Sequence, residues 1–66
     1  MEVDVETLKA LRQKQVLTVA ELAQKAGVSK NTISKAENGG SVYPSTVRKL
    51  ARALGVEPSD LVGVRS

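Results

Sequence analysis

The sequence contains no cysteine and no histidine. Disulfide bonds and zinc sites, which often stabilise very small folds, are therefore excluded. The thiolate and the imidazole, the most familiar nucleophile and general base near neutral pH, are missing for the same reason. We therefore expect that the chain is not an enzyme and that it holds no metal and no cofactor.

Aromatic residues are almost absent as well. Phenylalanine and tryptophan do not occur, and Tyr43 is the one aromatic side chain. The hydrophobic core must therefore be built from leucine, valine, isoleucine and alanine, which suits compact helices. No apolar run approaches the roughly 18 residues that a membrane span needs, and the first residues are acidic where a signal peptide is basic. These features predict a cytoplasmic protein with no membrane partner.

The length of 66 residues fits one domain, which we place at residues 1–66. So small a domain buries only roughly 60% of the surface that its unfolded chain exposes, so stability must come from helix packing or from a partner. We expect no separate ligand-sensing region in this length and no small-molecule ligand. Ten lysine and arginine residues against seven acids give a net charge of +3, which favours a polyanionic partner without requiring one.

Helix start and stop signals recur along the chain, whereas no stretch alternates with the period of a strand. The clearest start is the capping box of Thr18 and Glu21, and the clearest stop is Gly27. Helices are predicted over approximately residues 4–15, 18–26, 29–38, 45–54 and 58–62. The expected fold is all-α, a compact bundle of four to five short helices.

The connection between the second and third helices is unusually short. Gly27 ends one helix, Val28 follows, and Ser29 is placed to cap the next. Helices joined so closely must cross at a steep angle, which is the geometry of a helix-turn-helix. Ile33 is expected to bury against the second helix.

The side of the third helix opposite Ile33 is polar and contains no acid. At 100° per residue, the outward residues are Asn31, Lys35 and Asn38, flanked by Lys30, Thr32 and Ser34. Lysine can donate to guanine, asparagine can bind adenine bidentately, and a threonine methyl can meet thymine in the major groove of DNA. The alternative interpretation is a merely solvated surface, but the short turn beside this helix favours the groove.

The chain from Leu8 to Leu61 resembles the phage repressor and Cro-like family of helix-turn-helix regulators, also called the XRE family. The resemblance is carried by Leu17-Thr18, Glu21-Leu22-Ala23, Ala26-Gly27-Val28-Ser29, Thr32-Ile33-Ser34-Lys35 and Glu37-Asn38-Gly39. It implies a lambda-repressor-like DNA-binding domain of bacterial or phage origin. The implied function is sequence-specific binding of double-stranded DNA, with the third helix in the major groove, by a small transcriptional regulator that acts as a repressor.

The resemblance also implies roles for individual residues. Base edges would be contacted by Lys30, Asn31 and Lys35, assisted by Thr32 and Ser34. Phosphates would be contacted by Thr18, Ser29, Asn38 and Tyr43, although packing of Tyr43 beside the small Ala36 is an equal alternative.

Arg12 and Glu37 resemble a family ion pair that ties the first helix to the end of the third, a role in the scaffold rather than in the site. Two positions depart from the family pattern. Val19 stands where a backbone-contacting glutamine is frequent, and the loop at residues 39–43 lacks the usual lysine or arginine.

The fourth helix carries a basic face of Arg48, Lys49 and Arg52, interpreted as solvated, as a backbone contact or as a dimer edge. The resemblance implies a homodimer on half-sites roughly 34 Å apart. We expect its contact surface to run from the end of the fourth helix through Leu61, Val62 and Val64.

An antitoxin-like or partner-dependent protein-interaction module with the same fold is the alternative function. A protein-binding surface is expected to carry aromatic or aliphatic anchors, whereas the outer face of the third helix carries lysine and asparagine.

Overall fold

Five α-helices account for most of residues 2–62, the part of the chain that the computed structural model describes. They are α1 (Val5–Lys14), α2 (Val19–Ala26), α3 (Lys30–Glu37), α4 (Pro44–Leu54) and α5 (Pro58–Leu61). The only β-type pairing among these residues is an isolated antiparallel bridge between Glu2 and Ser41. The prediction of an all-α bundle of short helices is confirmed.

The first three helices begin at side-chain caps. Asp4, Thr18 and Ser29 accept from the N–H groups three residues ahead, at 3.2, 3.1 and 3.2 Å. The last two helices begin instead with Pro44 and Pro58, whose ring fixes φ near the helical value. The predicted ranges differ from the observed helices mainly by including these capping residues.

Helices α1 to α4 all end in the same Schellman motif. One residue adopts a positive φ, and the N–H group of the next residue donates to a carbonyl oxygen five positions back. These bonds are Leu17 to Arg12 at 3.1 Å, Val28 to Ala23 at 2.9 Å, Gly40 to Lys35 at 2.8 Å and Val56 to Ala51 at 3.0 Å. Three of the positive-φ residues are glycines, but the one that ends α1 is Val16, with φ of 56°.

Every helix contributes at least one large, fully buried aliphatic side chain to the core. They are Leu8 from α1, Leu22 from α2, Ile33 from α3, Val47 and Leu50 from α4, and Leu61 from α5. Removing such a side chain from water contributes about 1.5–3 kcal/mol, so these positions supply a large part of the stability of so small a fold. In the bundle, α2 packs against α3 and α4, while α1 packs against α3 and α5.

The segment before α1 closes one end of the bundle. Val3 is buried, and the N–H group of Asp4 donates to the carbonyl oxygen of Leu61. Leu61 therefore belongs to the interior of the protomer, and the expectation that it forms part of a dimer surface is wrong. Val62 is half-buried, and Val64 lies outside the described residues.

None of the helices in residues 2–62 has the length and apolar character to cross a membrane.

Val16 adopts a backbone conformation that its β-branched side chain disfavours. A β-branched residue in the left-handed region is a true outlier, and this conformation costs an L-residue about 1–2 kcal/mol. The side chain is 85% exposed, so it gains little packing in return.

We expect Val16→Gly to raise the free energy of unfolding by about 1 kcal/mol, because relief of the strain outweighs the extra freedom of glycine in the unfolded chain. The measurement is urea denaturation followed by circular dichroism. Val16→Ala is the matched control, since it shortens the side chain but keeps the Cβ atom. An equal gain from alanine would show that left-handed strain is not the cause.

Candidate nucleic-acid interface

The turn between α2 and α3 is three residues long. Gly27 has φ of 75°, Val28 packs against the core, and the hydroxyl of Ser29 caps α3. Leu22 and Ile33 are fully buried where the two helices meet. The turn therefore fixes α3 across α2 with one side turned inwards and the other left open.

The open side of α3 unites the residues expected to contact bases. Lys30, Asn31, Ser34 and Lys35 are exposed, and the exposed Asn38 ends the helix. Thr32 is half-buried, and its hydroxyl lies 2.9 Å from the hydroxyl of Ser29. Thr32 is therefore partly engaged in the helix start, whereas the other residues are available to a ligand.

Glu37 is the single acid of α3, and it is turned away from the open side. Only 7% of this residue is exposed. A carboxylate on the outer face would repel a polyanion, so its burial leaves that face with positive charge alone.

The side chain of Lys35 lies across the backbone of Gly40. A Cβ atom at Gly40 would come within 2.5 Å of Cγ and 2.9 Å of the carbonyl oxygen of Lys35. Glycine at this position therefore allows the lysine stem to pack closely. The close contact directs Lys35 along the edge of an open groove of about 380 Å³ that Thr32, Tyr43 and Thr46 also line.

Tyr43 stands at the N-cap position of α4, where its side chain makes no capping bond. It is 79% exposed whereas Ala36 is fully buried, so the alternative that it packs beside Ala36 is wrong. Tyr43 lines the same groove as Lys35.

The N-terminus of α2 is held by a capping box. The hydroxyl of Thr18 accepts from the N–H group of Glu21 at 3.1 Å, and the carboxylate of Glu21 accepts from the N–H group of Thr18 at 2.9 Å. The Thr18 hydroxyl can still donate its own proton, and the first N–H groups of a helix have no partner within it. Val19 packs against the core, so an anion at this helix end would meet Thr18 and backbone N–H groups.

Arg12 joins α1, the connection to α2 and the end of α3. Its Nε and Nη2 donate to the two carboxylate oxygens of Glu37 at 2.6 and 3.2 Å, and its Nη1 donates to the carbonyl oxygen of Leu17 at 2.9 Å. The two side chains are only 15% and 8% exposed. This bidentate pair fixes the C-terminal end of α3 relative to the rest of the bundle.

The family model described as helix-turn-helix matches residues 8–61. The chain belongs to the helix-turn-helix family. The resemblance to the phage repressor and Cro-like (XRE) type is thereby confirmed.

Named relatives of this helix-turn-helix chain include transcription regulators. It is 48% identical over 58 residues to the HTH-type transcriptional repressor RghR of Bacillus subtilis, covering 85% of this chain and 43% of that protein. The chain thus spans less than half the length of this relative. Its structure is similar to an HTH_3 family transcriptional regulator from Vibrio cholerae, with a TM-score of 0.76 and 33% identity, covering 85% of this chain and 32% of the other.

The same helix-turn-helix fold also occurs inside an enzyme. All of this chain is similar to a segment that makes up 14% of a hydroxyethylphosphonate dioxygenase variant, with a TM-score of 0.85 and 27% identity. The likeness covers a small part of that protein and extends to the helix-turn-helix domain alone.

One residue that supports the helix-turn-helix scaffold had no signal in the sequence. The amide of Gln15 donates to the carbonyl oxygen of Leu54 at 2.7 Å and thereby links the end of α1 to the end of α4. A glutamine at the end of a polar helical turn is ordinary, and its partner lies 39 residues away.

Arg12→Met should lower the free energy of unfolding by about 3–5 kcal/mol, because it leaves the carboxylate of Glu37 buried and unpaired. The double variant Arg12→Met/Glu37→Leu removes both charges and should recover much of this loss. Urea denaturation of each protein provides the comparison.

Lys14→Met serves as the control, since it removes an exposed cation from the same helix and should change stability by less than about 0.5 kcal/mol. If Arg12→Met does not fold but the double variant does, the unpaired carboxylate of Glu37 is still shown to be the cause of the instability. A loss for Arg12→Met no larger than for Lys14→Met would contradict the assignment.

Proposed function

We propose that this helix-turn-helix domain binds double-stranded DNA sequence-specifically through α3 in the major groove, as the reading part of a transcriptional repressor. The observation that carries this proposal is the open face of α3, which is polar, cationic and free of acid because Glu37 is buried. An α-helix of ordinary diameter fits the major groove, and lysine and asparagine match the donor and acceptor pattern of base edges.

Lys30, Asn31 and Lys35 are the proposed base readers, with Ser34 and Thr32 in supporting positions. Lys30 and Asn31 belong to the first turn of α3, whereas Lys35 is held one turn further along by its contact with Gly40. The half-buried Thr32 is suited to a methyl contact with thymine rather than to a hydrogen bond.

Phosphate contacts would set the register of the domain on the duplex. The proposed residues are Thr18 at the start of α2, Ser29 at the start of α3, Asn38 at its end and Tyr43 beyond it. Thr18 and Tyr43 stand at the starts of α2 and α4, so the proposed phosphate contacts come from more than one helix. The cation-free loop at residues 39–43 limits how many phosphates this grip can neutralise.

Relatives named as transcriptional regulators support a proposal about the wider setting of the domain. We infer a bacterial or phage regulator that acts on DNA in the cytoplasm and binds as a homodimer to two half-sites roughly 34 Å apart. The domain itself would supply recognition and no catalysis, and any further activity would belong to other parts of a longer protein.

The test is selection from a randomised duplex library by the purified protein near physiological salt, followed by sequencing of the bound fraction. Enrichment of a two-fold symmetric site with half-sites one turn apart is the expected result. Binding that is weak, salt-sensitive and without enrichment would overturn the proposal and leave the partner-dependent or antitoxin-like function.

Asn31→Ala and Lys35→Ala should each weaken binding to the selected site by about 1–3 kcal/mol while leaving binding to an unrelated duplex nearly unchanged. The reason is that base contacts contribute only where the matching base is present. Fluorescence anisotropy with the two duplexes measures both affinities. Lys9→Ala, on the exposed side of α1, is the control, and equal losses on the two duplexes would contradict base reading by α3.

A further inference from the structure

A second open groove lies between the C-terminal half of α2 and the exposed side of α4. Its volume is about 610 Å³, and its charged lining is Lys25, Arg48, Lys49 and Arg52. The lining includes none of the residues proposed to contact bases or phosphates. This α2–α4 groove is therefore distinct from the face of α3.

The charge of the α2–α4 groove is of one sign. Four cations line it, with no aspartate or glutamate. Within residues 2–62, none of these four side chains takes part in an ion pair or in a hydrogen bond. Cations gathered without a partner raise the local positive potential, so the groove is suited to an anionic ligand.

The acids of the chain lie mostly elsewhere. Five of the seven are found before or within the first turn of α1 and around α5, namely Glu2, Asp4, Glu6, Glu57 and Asp60. None of these five acids lines the α2–α4 groove, although α5 packs against α4 as well as against α1. The positive charge of the groove is therefore not paired with a carboxylate inside it.

We propose that the α2–α4 groove binds the sugar-phosphate backbone of the duplex whose bases α3 reads. This inference rests on the proposed function and adds a second phosphate-binding surface to it. Arg48 and Arg52 are one helical turn apart on α4, and the guanidinium fork matches phosphate oxygens bidentately. Lys25 and Lys49 add charge from α2 and α4.

The position of the groove close to α3 favours, as its ligand, a strand of the same duplex that α3 contacts. Gly27 lines the groove and lies three residues before Lys30, the first residue of α3, so their Cα atoms are at most about 11 Å apart. The major groove is about 12 Å wide and is bordered by phosphates on both sides, so a helix that fills it brings its neighbours close to a strand. The loop at residues 39–43 has no lysine or arginine to neutralise phosphates. Another basic surface is therefore needed for that role.

The floor of the groove favours a nucleic acid over a protein. Its apolar lining consists of Ala26 and Ala53, beside Gly27. Protein interfaces depend on large anchors, above all aromatic side chains, which this groove lacks. An acidic protein surface is therefore the alternative outcome rather than the proposal.

The experiment measures the dissociation constant for the selected duplex and for an unrelated duplex over a series of salt concentrations. The slope of log K against log salt falls by about one for each phosphate contact that is lost. Lys49→Gln should lower the slope by about one per bound copy, and Arg48→Gln/Arg52→Gln by about two. The reduction should be the same on both duplexes, and the sequence enriched from a random library should not change.

Lys9→Gln is the matched control, since it removes one charge from an exposed helical lysine outside the groove. All the substituted side chains are exposed, so the variants should fold as the parent does. Slopes for the groove variants equal to that of Lys9→Gln would overturn the proposal. So would unchanged DNA binding together with loss of binding to a polyglutamate probe, which would assign the groove to an acidic protein.

The two proposals fail separately in this design. If the parent protein enriches no sequence, base reading by α3 fails. The salt slope on the unrelated duplex still reports phosphate contacts at the groove, because these contacts do not depend on sequence.

Discussion

The ion pair between Arg12 and Glu37 is the interaction on which the arrangement of this small domain depends. It brings the end of α1, the connection to α2 and the end of α3 to one point, through three hydrogen bonds of 2.6 to 3.2 Å. Helix α3 has eight residues, too few to be stable alone in water. Its orientation is therefore imposed by packing at Ile33 and by this pair, and the pair also removes the helix's one acid from the outer face.

A buried ion pair is not the most stabilising way to fill a space, because both charges must leave water. Here the pair does something that an aliphatic contact would not. Two donor–acceptor directions at Glu37 and a third at Leu17 restrict the relative position of the helices, whereas an aliphatic contact has no preferred direction. The proposed reading of bases by Lys30, Asn31 and Lys35 would require that positional accuracy, since hydrogen bonds weaken steeply when their geometry is lost.

The parts of this fold that could be predicted from sequence are those set by neighbours in the chain. The caps at Thr18 and Ser29 and the reversal at Gly27 each depend on a few consecutive residues, so their patterns can be recognised locally. Three features depend on distant segments and left no pattern in the sequence. They are the bond from Gln15 to Leu54, the burial of Leu61 and the placement of Lys25 and Arg48 along one groove. The left-handed conformation of Val16 could not be predicted for another reason, because valine disfavours that conformation.

One side of α3 packs in the core, and the other side is open to solvent. Every helix contributes at least one side chain to a single shared core, so no helix can separate from the bundle without opening it. The outer face of α3 contributes nothing to that core beyond the half-buried Thr32. Its side chains can therefore be exchanged nearly independently of folding. Under the proposed function, substitutions at a few exposed positions would give new sequence preferences on an unchanged scaffold.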